Sequence, residues 1–312
     1  MKRVLAVLVI LALLLWLVLP FVRAFALVSA HHSDPVAPAD LVLEDFRVSV
    51  GPDVPPSAIS DVALAVWTLQ TVHGAPAVVL IHGFKTSREE MIPWARFLHD
   101  GGYNVLLLDT RGCGKSGGST VGLGATEPHD ISLAVDVARR EFGTTKVAVL
   151  GISLGAGAAI LAGADDPNVS AVIADSAWTD QDFQLARLSF LQLGPLRLPL
   201  PPYGVAAVNA FIGADVTQAR PLDAIARISP RPILLIHSAD DDNATTPVEG
   251  SRKLFAAAGE PKSLWIAPRG GHVGAINASP VEYRARVLDF LGLALRQLSR
   301  AGGSLRARRR SP

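Results

Sequence analysis

One cysteine, two methionines and three tyrosines in 312 residues leave several chemistries without their usual groups. With Cys113 alone there is no internal disulfide, and no Cys/His cluster has zinc spacing. Charge is sparse and balanced. Lys and Arg number 29 against 28 Asp and Glu, so no basic excess points to nucleic acid. A phosphate loop is lacking too. Gly114-Lys115-Ser116 resembles the end of a P-loop, but the glycine needed five positions earlier is Asp109. Gly112, Gly114 and Gly117 satisfy GxGxxG after the apolar run Tyr103 to Leu108, yet Gly118-Ser119-Thr120 follows where a helix would have to receive a pyrophosphate. These absences leave the chain to work with its own side chains, and no metal or organic cofactor is expected.

What is present is a chain 49% apolar, enough to bury one large core or a core with a small lid. Apolar runs alternate with helical segments in the way that builds a parallel sheet. One junction carries chemistry. Lys146 to Leu150 reads as a strand, Gly151-Ile152-Ser153-Leu154-Gly155 as a sharp turn, and Ala156 to Ile160 as the start of a helix. A serine at such a turn is strained and exposed, and small neighbours let substrate and backbone approach it.

Two further pieces follow Ser153 in the order nucleophile, acid, histidine. Pro232 to His237 reads as a buried strand with Asp240-Asp241-Asp242 just past its end, where parallel sheets place their chemistry. Ser263 to Ala267 is another short strand, followed by Pro268-Arg269-Gly270-Gly271-His272 at the same edge. Upstream, the strand Ala77 to Ile81 leads into His82-Gly83-Phe84-Lys85, a loop that can aim the amide of Phe84 at an oxyanion together with the amide of Leu154. His82 is read as shaping that loop, and Cys113 as a small loop residue.

With these residues the chain resembles a serine-nucleophile member of the α/β-hydrolase superfamily, over about residues 41–298. It is nearest the small-cap group that includes serine-aminopeptidase-like and membrane-linked hydrolase-domain proteins. Ile81-His82-Gly83-Phe84, the run Leu108 to Gly118, Gly124 with Glu127 and Asp130, and Ala174-Asp175-Ser176 carry the resemblance beyond Ser153, the acid and His272. It implies a mostly parallel central sheet with helices on both faces and a short cap, and a Ser-His-Asp triad. The acid turn departs from the family pattern: Ser238 stands where glycine is usual, and Pro247 lies six residues after Asp241 instead of four. Counting from His237 selects Asp241, with Asp240 and Asp242 as alternates.

Residues 177–220 read as the cap, too rich in proline for one long helix. Leu188, Phe190, Leu191, Leu193, Leu196, Leu198 and Leu200 would line an apolar pocket above Ser153 or pack the lid onto the domain. Glu89 to His99 and Glu127 to Phe142 read as crossover helices, the second with Thr126 as N-cap.

At the N-terminus no charge interrupts Val4 to Val22, a run of about 28 Å as a helix against a hydrocarbon core of about 30 Å. Residues 1–28 read as a membrane anchor with Lys2 and Arg3 inside and the catalytic domain on the extracytoplasmic side. The alternative is a signal sequence, since Ala24-Phe25-Ala26 resembles a cleavage region and the protein would then be secreted. Residues 29–40 read as a spacer and 299–312 as a basic disordered tail.

The expected function is hydrolysis of a carboxylic ester of a small acyl substrate with an apolar group, with no nucleic acid partner. The alternatives are a peptidase or acyltransferase on the same triad, or a non-catalytic binding protein at the membrane.

Overall fold

In the computed structural model, residues 1–49 and 62–308 are described. Residues 50–61 of the expected hydrolase domain and 309–312 of the expected tail lie outside them.

Eight strands form one sheet: β1 (Glu44–Ser49), β2 (Ala63–Leu69), β3 (Ala77–Ile81), β4 (Asn104–Leu108), β5 (Val147–Ile152), β6 (Val169–Asp175), β7 (Ile233–Ser238) and β8 (Lys262–Ala267). Their order across the sheet is β8-β7-β6-β5-β3-β4-β2-β1. β1 and β2 pair antiparallel, β2 pairs antiparallel with β4, and the other neighbours are parallel. The uninterrupted apolar runs find their reason here. Every residue of β3 through β7 is buried, as strands covered on both faces must be. Alternate residues feed two cores. Val79 and Ile81 face helices α3 (Glu127–Glu141) and α4 (Leu154–Asp165), whereas Val78 and Leu80 face α2 (Ile92–Asp100) and the C-terminal helix Pro280–Arg308.

Several local expectations shift. α2 begins at Ile92, after a 3-10 turn over Arg88–Met91, because Pro93 fits only the first helical turn. Thr126 precedes α3, but its hydroxyl makes no capping bond. The Glu127 carboxylate instead accepts from the amides of Gly122 and Gly124 at 2.7 and 2.8 Å. The C-terminal helix continues to Arg308, so the tail expected to be disordered from residue 299 is helical that far. The spacer is not free either. His31 and His32 pair with Cys113 and Gly114, and the His31 amide donates to the Gly112 carbonyl at 2.7 Å.

That spacer lies against the loop from Asp109 to Gly118, whose glycines match a nucleotide pattern without the helix it needs. The loop is structural. The fully buried Asp109 accepts from the amides of Arg88 at 2.6 Å and Lys115 at 2.9 Å, while Arg111 and Asp130 form a buried pair with contacts of 2.6 to 3.1 Å. Gly114 has φ +51° and a Cβ there would meet the Asp109 carboxylate at 2.1 Å. Gly114→Ala is therefore expected to destabilise the protein by roughly 2–4 kcal/mol, from overpacking and a left-handed backbone together. A thermal melt unchanged by the substitution would contradict this.

The cap comprises the turn Asp182–Ala186, a hairpin of strands Phe190–Leu193 and Leu196–Pro199, and the helix Gly204–Ile212. Helix α1 (Lys2–Val28) is long and apolar enough to cross a membrane, and it passes through Pro20 unbroken. Its last turns are built into the cap: Ala24 and Val28 are fully buried with Leu188, Val208 and Ile212, and Phe21 and Phe25 pack edge-on against Phe211.

Candidate active site

Ser153 stands between the end of β5 and the first residue of α4, with φ 51° and ψ −116°, a conformation that costs a non-glycine residue energy. Its neighbours must be small. A Cβ on Gly151 would lie 2.1 Å from the Gly155 carbonyl, and one on Gly155 would lie 2.5 Å from the His82 carbonyl. Gly157 does the same service further along α4, where a Cβ would meet the Trp178 ring at 2.2 Å.

The structure brings Ser153, His272 and Asp241 together from three separate loops. His272 Nε2 lies 2.8 Å from Ser153 Oγ, and its Nδ1 lies 2.9 Å from Asp241 Oδ2. Thr246 Oγ1 is 3.1 Å from the same Nδ1. Asp241 is fully buried and His272 about a quarter exposed. The longer acid turn leaves this geometry intact because Asp241 keeps its four-residue distance from His237, whose Nε2 lies 2.9 Å from Asp241 Oδ2 while Nδ1 meets Ser251 Oγ at 2.7 Å. The other two aspartates stand apart from the ring. Asp240 accepts from the Gly271 amide at 2.8 Å and so holds the loop that presents His272; Asp242 is exposed.

Phe84 and Leu154 flank Ser153 and line the cleft above it. Leu154 is the first residue of α4, and amides in a helix's first turn have no partner within the helix. His82 is buried and braces the Phe84 loop. Its Nε2 accepts from the Thr110 amide at 3.2 Å, and its Nδ1 lies 2.8 Å from the Gly83 carbonyl.

These arrangements can be set beside known proteins. The serine aminopeptidase (S33) family profile matches residues 73–202. The Bacillus subtilis protein YqkD is 31% identical over 225 residues, covering 70% of this chain and 72% of that protein. YfhR of Escherichia coli K12 is 28% identical over 222 residues, 70% of each chain. Among solved structures, the Pyrococcus furiosus esterase Pf2001 matches with a TM-score of 0.63 at 25% identity, covering 83% of this chain and 96% of that one. The chain belongs to the α/β-hydrolase superfamily.

Behind the site of this hydrolase runs a buried polar chain that periodicity did not expose. Trp94 Nε1 donates to Tyr283 Oη at 2.8 Å, Tyr283 donates to Asp175 Oδ2 at 2.9 Å, and Ser176 Oγ donates to Asp175 Oδ1 at 3.0 Å. The Val273 amide then donates to Ser176 Oγ at 3.2 Å, which ties the loop carrying His272 to the end of β6. Burial pushes the Asp175 carboxyl up to about 6, although hydrogen bonds from Tyr283 and Ser176 oppose it. Asp175-Ser176 was visible as part of the family resemblance; Tyr283 carried no local signal, since its partners are 108 and 189 residues away.

Asp241 shifts the other way. Burial favours its neutral form, but the contacts from His237 and His272 and the Asn243 amide outweigh burial and hold the carboxyl well below the usual range. A carboxyl whose folded pKa is depressed contributes stability above its unfolded pKa of about 4, and loses it as pH falls further. The stability gap between wild type and Asp241→Asn is therefore expected to shrink between about pH 6 and about pH 3. Denaturant midpoints at the two pH values check this, and a constant gap would refute it.

The cleft of the hydrolase has a volume of about 210 Å³. Its apolar wall is Phe84, Leu123, Leu154, Trp178 and Phe183; Asp180, Gln181, Gln184, Asn243, Thr245 and Thr246 supply polar groups. Of the two places expected for the cap leucines, a pocket above Ser153 or packing of the lid, the cleft lining contains none of them. Leu188 and Leu200 are buried, Leu188 in the cluster with α1, and Leu193, Leu196 and Leu198 are exposed. The residues that reach the cleft come from the first turn of the insertion, because the hairpin is drawn aside onto α1 by hydrogen bonds from Trp16 and Arg23.

Proposed function

We propose that this hydrolase cleaves carboxylic esters through Ser153, His272 and Asp241. The observation that carries the reading is the unbroken line of contacts from Asp241 through His272 to Ser153, at 2.9 and 2.8 Å. His272 Nε2 takes the proton from Ser153 as Oγ attacks the acyl carbonyl, while Asp241 orients the ring and stabilises the imidazolium. The amides of Phe84 and Leu154 receive the developing oxyanion, each such donor being worth about 3–4 kcal/mol in comparable sites. The imidazolium gives its proton to the leaving alcohol, leaving an acyl group on Ser153. Water, deprotonated by the same ring, then releases the acid.

The apolar wall of the cleft suits a small acyl group, and its modest volume favours short to medium chains. The esterase Pf2001 supports ester chemistry, whereas the family profile is described by a peptidase activity. Short and medium acyl esters and matched aminoacyl amides, offered to the full chain in detergent micelles, separate the two. Ester turnover with an initial burst is expected. Faster cleavage of the amides would assign a peptidase, and a folded protein inert to esters, amides and fluorophosphonate would point to a binding role.

The same reading keeps α1 as a membrane anchor, with the catalytic domain outside the cytoplasm. Its support is the burial of Ala24 and Val28 in the cap cluster, which removal of the helix would strip open. The intact mass of the protein recovered from membranes tests retention.

A further inference from the structure

The cap hairpin has a face that nothing among the described residues covers. The register pairs Leu193 with Leu196 and Leu191 with Leu198, and strand alternation puts all four leucines on one side, with Phe190, Gln192, Arg197 and Pro199 on the other. Leu193 is 51% exposed, Leu196 55% and Leu198 38%. A two-stranded hairpin with its apolar face in water is marginal at best, so this face calls for a covering phase.

The position of the hairpin names that phase. Its open end is seated on α1. Trp16 Nε1 donates to the Pro199 carbonyl at 2.8 Å, and Arg23 Nη1 donates to the Phe190 carbonyl at 2.6 Å. Trp16 lies six residues before Val22, about 9 Å along the helix axis and inside the uncharged run. If α1 spans the bilayer, the Phe190 end of the hairpin base lies at the lipid surface beside Arg23 and the Pro199 end lies below it beside Trp16. The charge agrees. From Phe183 to Ala214 the cap has no carboxylate and two arginines, Arg187 and Arg197. Arg197 folds over the Phe190 ring at 4.8 Å on the side away from the leucines, as a side chain reaching back to lipid phosphates would.

We propose that the hairpin 190–199 is a second membrane contact, its four-leucine face entering the outer part of an anionic bilayer beside α1. The inference rests on the anchor reading above. It has a consequence for access: a groove beside Arg23, Ala26, Leu27 and Leu188 shares Phe84 and Gln184 with the cleft, so the approach to Ser153 opens at the foot of α1 and therefore at the lipid surface.

The test places single cysteines for an environment-sensitive fluorophore at Leu193 and Leu196 in the full chain, with Leu11→Cys on α1 and the exposed Val281→Cys on the domain as references. Cys113 does not compete, since burial pushes its thiol up to about 12. The proteins are reconstituted into vesicles of phosphatidylcholine and phosphatidylglycerol at about 3:1, with and without doxyl-labelled lipid. Labels at 193 and 196 are expected to shift to the blue and to be quenched by the lipid-borne doxyl group, as at 11 and unlike 281. Labels at 193 and 196 that behave like 281, while 11 is quenched, would leave the anchor standing and overturn the hairpin contact. A blue shift without lipid quenching would mean that protein covers the face, and overturns it as well. Loss of quenching at 11 together with the hairpin positions would overturn both readings.

Discussion

Ser153→Ala is expected to abolish fluorophosphonate labelling and to lower kcat for esters by roughly 10⁴-fold or more. The size of the effect follows from the division of labour in the site. Without Oγ no covalent intermediate forms, and His272 can at most activate water, held in place by its contact with Asp241. The oxyanion donors would persist, because both are backbone amides, and their residual contribution sets the floor to which activity falls. The fold should survive. Alanine fits the same turn, and its melting temperature should stay near that of wild type, which separates lost chemistry from lost structure. Activity within tenfold of wild type in a folded variant would mean that another residue is the nucleophile.

The second large effect distinguishes three adjacent carboxylates. Asp241→Asn is expected to reduce kcat by about 10⁴-fold, since an amide cannot stabilise the imidazolium and can turn its NH₂ group toward Nδ1, fixing the wrong tautomer. Asp240→Asn should cost about tenfold or less, through a looser grip on Gly271 and a less well aimed His272. Asp242→Asn should cost less still. The pattern is checked by kcat on one ester for all three variants, and a larger loss at Asp240 or Asp242 than at Asp241 would reassign the acid.

Most of the scaffold was legible from residue order. The runs that became β3, β4, β5 and β7 announced themselves because burial on both faces demands an unbroken apolar strand, and the turn at Ser153 because its glycines had to be small. Asp241 was selected by its distance from His237, and the structure shows the contact that makes this distance matter. Three things were not legible. Thr126 had the right identity and place for a cap, but its side chain makes no capping bond, and Pro128 at the second helical position has no N–H to offer it. The polar chain from Trp94 through Tyr283 to Asp175 links positions far apart in sequence. The cap leucines carried no sign of which side would be covered, because proline-broken segments have no long periodicity to read.

The sequence by itself determined the sheet, the turn at Ser153, the loop at His272 and the apolar N-terminal helix, since each depends on neighbours a few residues apart: alternation, continuous burial, a strained turn between small residues, a run without charge. The tertiary structure alone decided how three loops converge to set 2.8 and 2.9 Å contacts, which aspartate faces the ring, and that the cap hairpin leans on α1 instead of closing over Ser153. Those outcomes depend on distances between segments 31 to 183 residues apart, and such distances follow from packing, which no local pattern encodes.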